Sequence, residues 1–104
     1  MKKNPKTIQI IGKQWFDKIN GNSYFSTRVF FDNILVLLLP FQYGYGDQYI
    51  YASFEKIKKE KLIKDVDVSV TLWELCEKNN ITYLATLHKN CKKSEVKTFG
   101  GKDE

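Results

Sequence analysis

Hydrophobic and polar residues alternate along the first part of the chain with the two-residue period of β-strands. Ile8 and Ile10 are separated by a polar residue and predict a first strand over 7–16. The same period predicts a second strand over 23–31. A third strand, 34–41, is apolar at almost every position, which is typical of strands covered on both faces, so we expect it at the centre of the sheet.

Short turns join these three strands and predict an antiparallel meander. Asn20 and Gly21 form a pair that favours a tight turn with positive φ, and Asp32 and Asn33 supply the next turn. Gly12, inside the first strand, indicates a β-bulge.

After Asp47 the apolar period changes from two residues to that of a helix. We expect Asp47 to be the N-cap of this helix, whose outer side is rich in lysine. The core predicted from these two periods contains side chains of the third strand and of the helix: Val36, Leu38, Ile50, Phe54 and Ile57.

A second, shorter helix is predicted after a linker at 65–67. Thr71 and Glu74 have the spacing of a capping box, and Asn79 and Asn80 suit the end of the helix. Its apolar stripe contains Leu72, Leu75 and Cys76.

The end of the chain returns to the strand period. We predict a fourth strand over 81–89 and a short fifth strand over 94–99. The resulting fold class is α+β: an antiparallel sheet, built from a three-stranded meander plus one or two C-terminal strands, with two helices packed on one face. The 104 residues are the size of a single domain, and we expect 1–5 and 100–104 to be flexible.

The positive net charge permits binding to polyanions, but the scarcity of arginine argues against sequence-specific recognition of individual bases. The net charge is +5, and Arg28 is the one arginine among 17 cationic residues. Bidentate contacts to guanine favour arginine, whereas lysine provides an unspecific positive field. Solubility explains such a charge equally well.

Cys76, Cys91 and His88 are too few and too scattered for a metal site, and the chain predicts no cofactor. The N-terminus lacks an apolar run of signal-peptide length, and the apolar run at 34–40 is too short to span a bilayer. These features predict a cytoplasmic protein with reduced thiols and no membrane partner. A homo-oligomer is compatible with all of them.

The most distinctive segment is the Tyr-Gly-Tyr-Gly loop before the first predicted helix. Gly44 and Gly46 free backbone N–H groups to face an anion, and Tyr43 and Tyr45 can stack on a base. The loop lacks the spacing of a P-loop or of a dinucleotide fingerprint. A simple turn with packed tyrosines is the alternative, and Asp47 would repel an anion here.

Residues on the predicted strands can assist this loop. Trp15 is a candidate stacking platform, with Lys13 and Lys18 beside it to contact a phosphate backbone. Arg28 and Tyr24 share one face of the second predicted β-strand. This pattern resembles that of β-sheets that hold a single strand of nucleic acid. Packing in the core or at the sheet edge is the alternative for each.

No nucleophile, paired carboxylate or triad pattern predicts catalysis, so we expect a non-enzymatic protein.

Two segments, KQWFDKINGNSY (13–24) and LPFQYGYGD (39–47), resemble a group of small uncharacterised proteins from bacteriophages and mobile elements. The resemblance covers about the first half of the chain. It implies a phage accessory protein that acts in the host cytoplasm by binding nucleic acid, a host protein or a nucleotide signal of host defence.

The leading hypothesis is therefore a binding protein for a nucleotide or nucleic acid, with a role in counter-defence. An inhibitor that docks on a host protein through exposed aromatic residues is the alternative from another class, and an uncharacterised small enzyme is the third.

Overall fold

The secondary structure is known for residues 4–63 and 71–101, which a computed structural model of the chain describes. Within these residues the chain forms strands β1 (Thr7–Asp17), β2 (Asn22–Phe31), β3 (Ile34–Tyr43) and β4 (Thr82–His88), and helices α1 (Gln48–Lys59), α2 (Leu72–Lys78) and α3 (Lys93–Phe99). The α+β class is as predicted. The predicted linker at 65–67 lies outside the described residues.

The sheet is mixed, with the strand order β3-β2-β1-β4. The meander is confirmed, because β1 pairs antiparallel with β2 and β2 antiparallel with β3. The prediction of a wholly antiparallel sheet is wrong, since β4 runs parallel to β1. The chain between β3 and β4 includes α1 and α2, and a crossover of this kind returns a strand to the sheet in the parallel direction.

The third strand lies at the edge of the sheet and not at its centre. The prediction is wrong because β4 adds beside β1 and leaves β3 with β2 as its neighbour. Ile34 is 67% exposed and Leu38 40% exposed, so Leu38 does not join the predicted core. Val36 is partly buried against the core, as predicted.

The core lies between α1, α2 and one face of the sheet. Strand residues that contribute to this face, which we call the core face, include Ile8, Ile10, Phe25 and Val29. The buried cluster also contains the three helix residues predicted for it, Ile50, Phe54 and Ile57, and the α2 residues Leu72, Leu75 and Cys76.

The predicted fifth strand is helix α3, which packs against the other face of the sheet. Val96 of α3 is fully buried, and its carbonyl oxygen accepts a hydrogen bond from Ser26 Oγ. Near the start of the helix, the backbone N–H of Lys92 donates to Glu95 Oε1 at 3.2 Å. Gly100, at its end, is buried. Residues 94–99 therefore form a helix whose buried side chain, Val96, packs on the sheet. The expectation that the helices pack on one face of the sheet alone is not met.

We use the name α3 face for the sheet face opposite the core. It is formed by the strand residues that alternate with the core positions, which include Lys13, Trp15, Tyr24, Arg28 and Leu38. Helix α3 covers one end of it, whereas Leu35 and Leu84, at the other end, are 45% and 54% exposed.

The turn signal at 32–33 and the capping signal of α2 predict the observed structure, whereas the bulge signal in β1 does not. Asp32 and Asn33 both have positive φ, and Thr71 Oγ1 accepts a hydrogen bond from the backbone N–H of Glu74 at 3.2 Å. Gly12 does not mark a bulge, because it pairs in regular register with Thr27. A Cβ atom at Gly12 would lie 2.8 Å from a ring carbon of Tyr49, so the glycine makes room for this ring.

The two thiols differ in accessibility, and this difference predicts their reactivity. Cys76 is buried, which raises the pKa of its thiol to about 11, whereas Cys91 is partly exposed. A thiol reagent at neutral pH is therefore expected to modify one cysteine of the native chain, Cys91, and both after unfolding. Mass spectrometry of the labelled peptides distinguishes the two. Rapid labelling of Cys76 in the native protein would contradict the position of α2.

Candidate ligand-binding site

The Tyr-Gly loop connects β3 to α1 and presents its tyrosines to solvent. Tyr43 and Tyr45 are 59% and 64% exposed. Gly44 is buried on the ring of Phe25, where a Cβ atom would collide with that ring, and Gly46 has a φ of +59°. The glycines thus shape the loop, and the tyrosine rings are not packed inside it.

The loop leads into α1, and Asp47 is the N-cap residue as predicted. Its side chain makes no capping hydrogen bond, whereas its backbone oxygen accepts from the N–H of Ile50 at 2.9 Å. Because the Asp47 carboxylate is exposed and does not accept a hydrogen bond from the first N–H groups of α1, its negative charge remains near the loop.

Tyr43 also ends a row of aromatic rings on the α3 face. Its ring meets the ring of Tyr24 edge-on, with 5.9 Å between centroids. Tyr24 stacks on Phe41 at 5.0 Å and on Trp15 at 5.7 Å. These rings pack against one another across three neighbouring strands, so their contacts are largely made within the protein.

Helix α3 adds cations to this row. The Lys93 ammonium lies 5.2 Å from the ring centroid of Trp15, and the Lys97 ammonium lies 5.6 Å from that of Phe41. Cation–π contacts of this kind hold a helix on an aromatic surface. Sequence reasoning missed Lys93 and Lys97 because it assigned their segment to a strand.

Lys13 and Arg28, two predicted site residues, are both engaged with α3. Arg28 Nε donates to the carbonyl oxygen of Phe99 at 2.8 Å, and the guanidinium lies 4.4 Å from the Phe99 ring centroid. Lys13 Nζ lies 3.3 Å from Glu95 Oε2. The pKa of Glu95 is lowered because its carboxylate accepts hydrogen bonds from the backbone N–H of Lys92 and from Lys13. Lys18 is exposed in the β1–β2 turn, where it joins neither α3 nor the groove described next.

A groove of about 730 Å³ runs between the edge strand β3 and helix α1. Its walls combine apolar residues, a glutamine, one acidic and three basic side chains: Leu39, Pro40, Gln42, Ala52, Glu55, Lys56, Lys58 and Lys59. Gln42 lines the groove, and the Tyr-Gly loop follows it directly in the chain. We call this arrangement the lysine groove.

The three lysines of the groove differ in their pairing. Lys58 Nζ lies 2.8 Å from Glu55 Oε2, and it also lies 4.8 Å from the ring centroid of Phe54. Lys56 and Lys59 make no ion pair with any residue that the structure describes. Their charge is therefore available to an anion in the groove. The sequence alone indicated only a solvated helix face, because the groove exists where β3 lies beside α1.

A second group of aromatic rings joins α1, α2 and β4. Trp73 meets Tyr51 at 5.9 Å and Tyr83 at 6.2 Å, both edge-on. Tyr51 is 52% exposed and Trp73 45% exposed, whereas burial raises the pKa of Tyr83 to about 12. An exposed aromatic pair on a rigid base is a surface that suits contact with another protein.

Residues 4–63 and 71–101 contain no cluster of three or more histidine, cysteine, aspartate or glutamate side chains that could bind a metal ion. Among the same residues, no helix has the length and apolar character needed to cross a bilayer.

Comparisons of the chain with protein-family models, with curated proteins and with solved structures found no match.

Proposed function

We propose that the protein is a non-enzymatic binding protein and that its ligand is a nucleic acid strand or nucleotide held in the lysine groove. The observation that carries the proposal is the position of Lys56 and Lys59. Both line the groove without an ion pair among the described residues, and the exposed Tyr-Gly loop directly follows Gln42, another residue of the groove wall.

The chemistry of the groove matches a phosphate chain better than a single small anion. Lysines spread along one helix provide a positive field along a line, and lysine contacts phosphate as a point charge without a fixed geometry. The opposite wall, Leu39 and Pro40, is uncharged and can contact the apolar parts of sugar and base.

Tyr45 supplies the second part of the proposed site, since it is 64% exposed in the loop that follows Gln42. The ring of Tyr43 lies on the α3 face, edge-on to Tyr24, and so points away from the groove. Aromatic rings that accept bases without sequence preference are typical of proteins that bind single strands. We assign Trp15, Lys13 and Arg28 to the docking of α3, because their contacts lie with that helix.

The biological setting is part of the same proposal. The resemblance of 13–24 and 39–47 to phage proteins supports an accessory protein that acts in the host cytoplasm, in counter-defence. Binding alone would account for such a role, since coating a strand or sequestering a nucleotide needs no reaction.

Titration of a fluorescent single-stranded oligonucleotide and of a labelled nucleotide, each at several salt concentrations, tests the proposal. In the full chain, Lys56→Gln with Lys59→Gln is expected to reduce the slope of log affinity against log salt by about 1.4, because each phosphate that a lysine neutralises on a single strand contributes about 0.7. The matched control is Lys78→Gln with Lys89→Gln, which removes the same charge at exposed positions outside the groove.

Tyr45→Ala tests the loop in the same titration, and Tyr43→Ala is its matched control. Tyr45→Ala is expected to weaken binding by about 1–3 kcal/mol, the contribution of one stacked base, whereas Tyr43→Ala, on the other sheet face, should bind like the parent. The melting temperature of the free Tyr45→Ala protein should change little, because the ring is 64% exposed. Unfolding of Tyr45→Ala, or parental affinity in both this variant and the lysine variant, would rule the site out.

The exposed pair Tyr51 and Trp73 favours a second candidate, an inhibitor that docks on a host protein. A host protein that co-purifies with the parent chain and is absent with Trp73→Ala would support it, provided that the chain binds neither oligonucleotide nor nucleotide.

A further inference from the structure

We propose that a pocket on the α3 face, separate from the lysine groove, binds the phosphate group of a small phosphate monoester. The pocket has a volume of about 450 Å³ and lies between α3 and the strands β1 and β2. Its walls are formed by Lys13, Arg28, Ser94, Glu95, Thr98 and Phe99. None of these residues lines the lysine groove, so the inference goes beyond the proposed function.

Arg28 is fixed on the wall of this pocket but keeps unused hydrogen-bond donors. Its Nε donates to the carbonyl oxygen of Phe99 at 2.8 Å, and its guanidinium lies 4.4 Å from the Phe99 ring centroid. The other N–H groups of the guanidinium make no hydrogen bond, and its charge makes no ion pair, with any residue that the structure describes. A guanidinium held in this way suits an oxyanion, which it binds through two parallel hydrogen bonds.

Lys13 brings a second positive charge to the same pocket. It lies diagonally across the strand pair from Arg28, because Lys13 pairs with Ser26 and Arg28 pairs with Ile11. Its ammonium lies 4.9 Å from the ring centroid of Phe99, the ring that Arg28 also contacts. The two cations therefore meet at one ring, where an anion can contact both.

Glu95 opposes an anion in this pocket, but only weakly. Its carboxylate lies 3.3 Å from Lys13 Nζ, and the two side chains are 47% and 27% exposed. An ion pair this exposed contributes little, so a doubly charged ligand can compete for Lys13. Without a ligand, Glu95 balances Lys13, and the charge of Arg28 remains uncompensated among the residues of the pocket.

The donors of the pocket match a phosphate monoester better than a diester. A monoester carries about −1.5 to −2 charges at pH 7 and has three terminal oxygens, whereas a diester has one charge and two such oxygens. Arg28 and Lys13 can donate to two of the three oxygens. The hydroxyl of Ser94, which makes no hydrogen bond with a described residue, can donate to the third. A pocket of this volume suits a small molecule.

An NMR titration of the full chain with inorganic phosphate and with glycerol phosphate, at constant ionic strength, tests the site. Arg28 is the one arginine of the chain, so its Nε–H signal is identified without ambiguity. Both ligands are expected to shift this signal and the backbone amide signals of α3 in a saturable manner. Dimethyl phosphate, a diester, should bind more weakly.

Two variants, followed by the α3 amide signals, separate binding from a merely structural role. Arg28→Lys keeps the charge but loses the planar fork, and it should weaken phosphate binding about tenfold or more. Glu95→Gln keeps an oxygen that can accept from the N–H of Lys92 but removes the competing charge. It should strengthen binding by up to about fivefold, the contribution of one exposed ion pair. This gain keeps the site testable if α3 detaches in Arg28→Lys.

Lys56→Gln with Lys59→Gln is the control, and it should bind phosphate like the parent. A loss of phosphate binding in this variant, parental affinity in a folded Arg28→Lys, or weaker binding in Glu95→Gln would overturn the site. Dimethyl phosphate that binds as tightly as glycerol phosphate would overturn the preference for a monoester. A phosphoserine peptide that binds more tightly than glycerol phosphate would overturn the small molecule as the ligand.

The same variants separate this inference from the proposed function. A folded Arg28→Lys should bind oligonucleotide like the parent, because the lysine groove does not include Arg28. Phosphate binding at Arg28 in a chain without affinity for oligonucleotide or nucleotide would refute the lysine groove alone. Oligonucleotide binding without a phosphate-dependent shift of the Arg28 signal would refute the phosphate pocket alone.

Discussion

Replacement of Phe54 by alanine is expected to lower the free energy of unfolding by about 3–5 kcal/mol. Phe54 is 5% exposed and belongs to the buried cluster that joins α1 to the sheet. Truncation of the ring leaves a cavity that the other side chains of the cluster cannot close, since a packed core relaxes only in part. Denaturant unfolding, followed by circular dichroism, measures the loss.

Tyr45→Ala is the control for Phe54→Ala. It also truncates an aromatic ring, but at a position that is 64% exposed, and it is expected to change stability by less than about 0.5 kcal/mol. A loss below about 1 kcal/mol in Phe54→Ala would show that α1 presents another face to the sheet.

Replacement of Gly100 by alanine is expected to destabilise the docking of α3 by about 1–3 kcal/mol or more. A Cβ atom at Gly100 would collide with the backbone carbonyl oxygen of Leu39 and would lie 2.5 Å from the Cβ of Ser26. Neither neighbour can move easily, because both belong to paired strands. The substitution therefore pushes α3 away from the sheet.

Tryptophan fluorescence reports this displacement when Trp73, the other tryptophan, is replaced by phenylalanine in parent and variant alike, because the Lys93 ammonium of α3 lies 5.2 Å from the ring centroid of Trp15. Ser94→Ala is the control, since Ser94 is exposed on the same helix and its substitution leaves the contact with Leu39 intact. Unchanged stability and unchanged fluorescence in Gly100→Ala would mean that α3 does not pack on this face.

The features that the sequence predicts correctly depend on neighbours in the chain. The turn at Asp32 and Asn33 follows from residues that accept positive φ, and the start of α2 follows from a hydroxyl three residues before Glu74. The buried side of α1 follows from the spacing of Ile50, Phe54 and Ile57. In each case the interacting groups lie within a few positions of one another.

The features that the sequence does not predict depend on residues far apart in the chain. The segment 94–99 has an alternation that suits a strand, yet it is a helix whose hydrogen bonds to Ser26 and Arg28 span 70 and 71 positions. Its place on the aromatic row, and hence the roles of Lys93 and Lys97, could not be inferred without that contact.

The candidate site divides in the same way. The sequence by itself determined that a glycine-rich loop with two tyrosines precedes α1 and that α1 carries lysines on its outer side. Only the tertiary structure decided that β3 lies at an edge, and therefore that the lysines line a groove beside it. The physical reason is that the hydrophobic pattern of a strand does not say which strands pair with it. The position of β3 depends on β4, which pairs with β1, a strand far from it in the sequence.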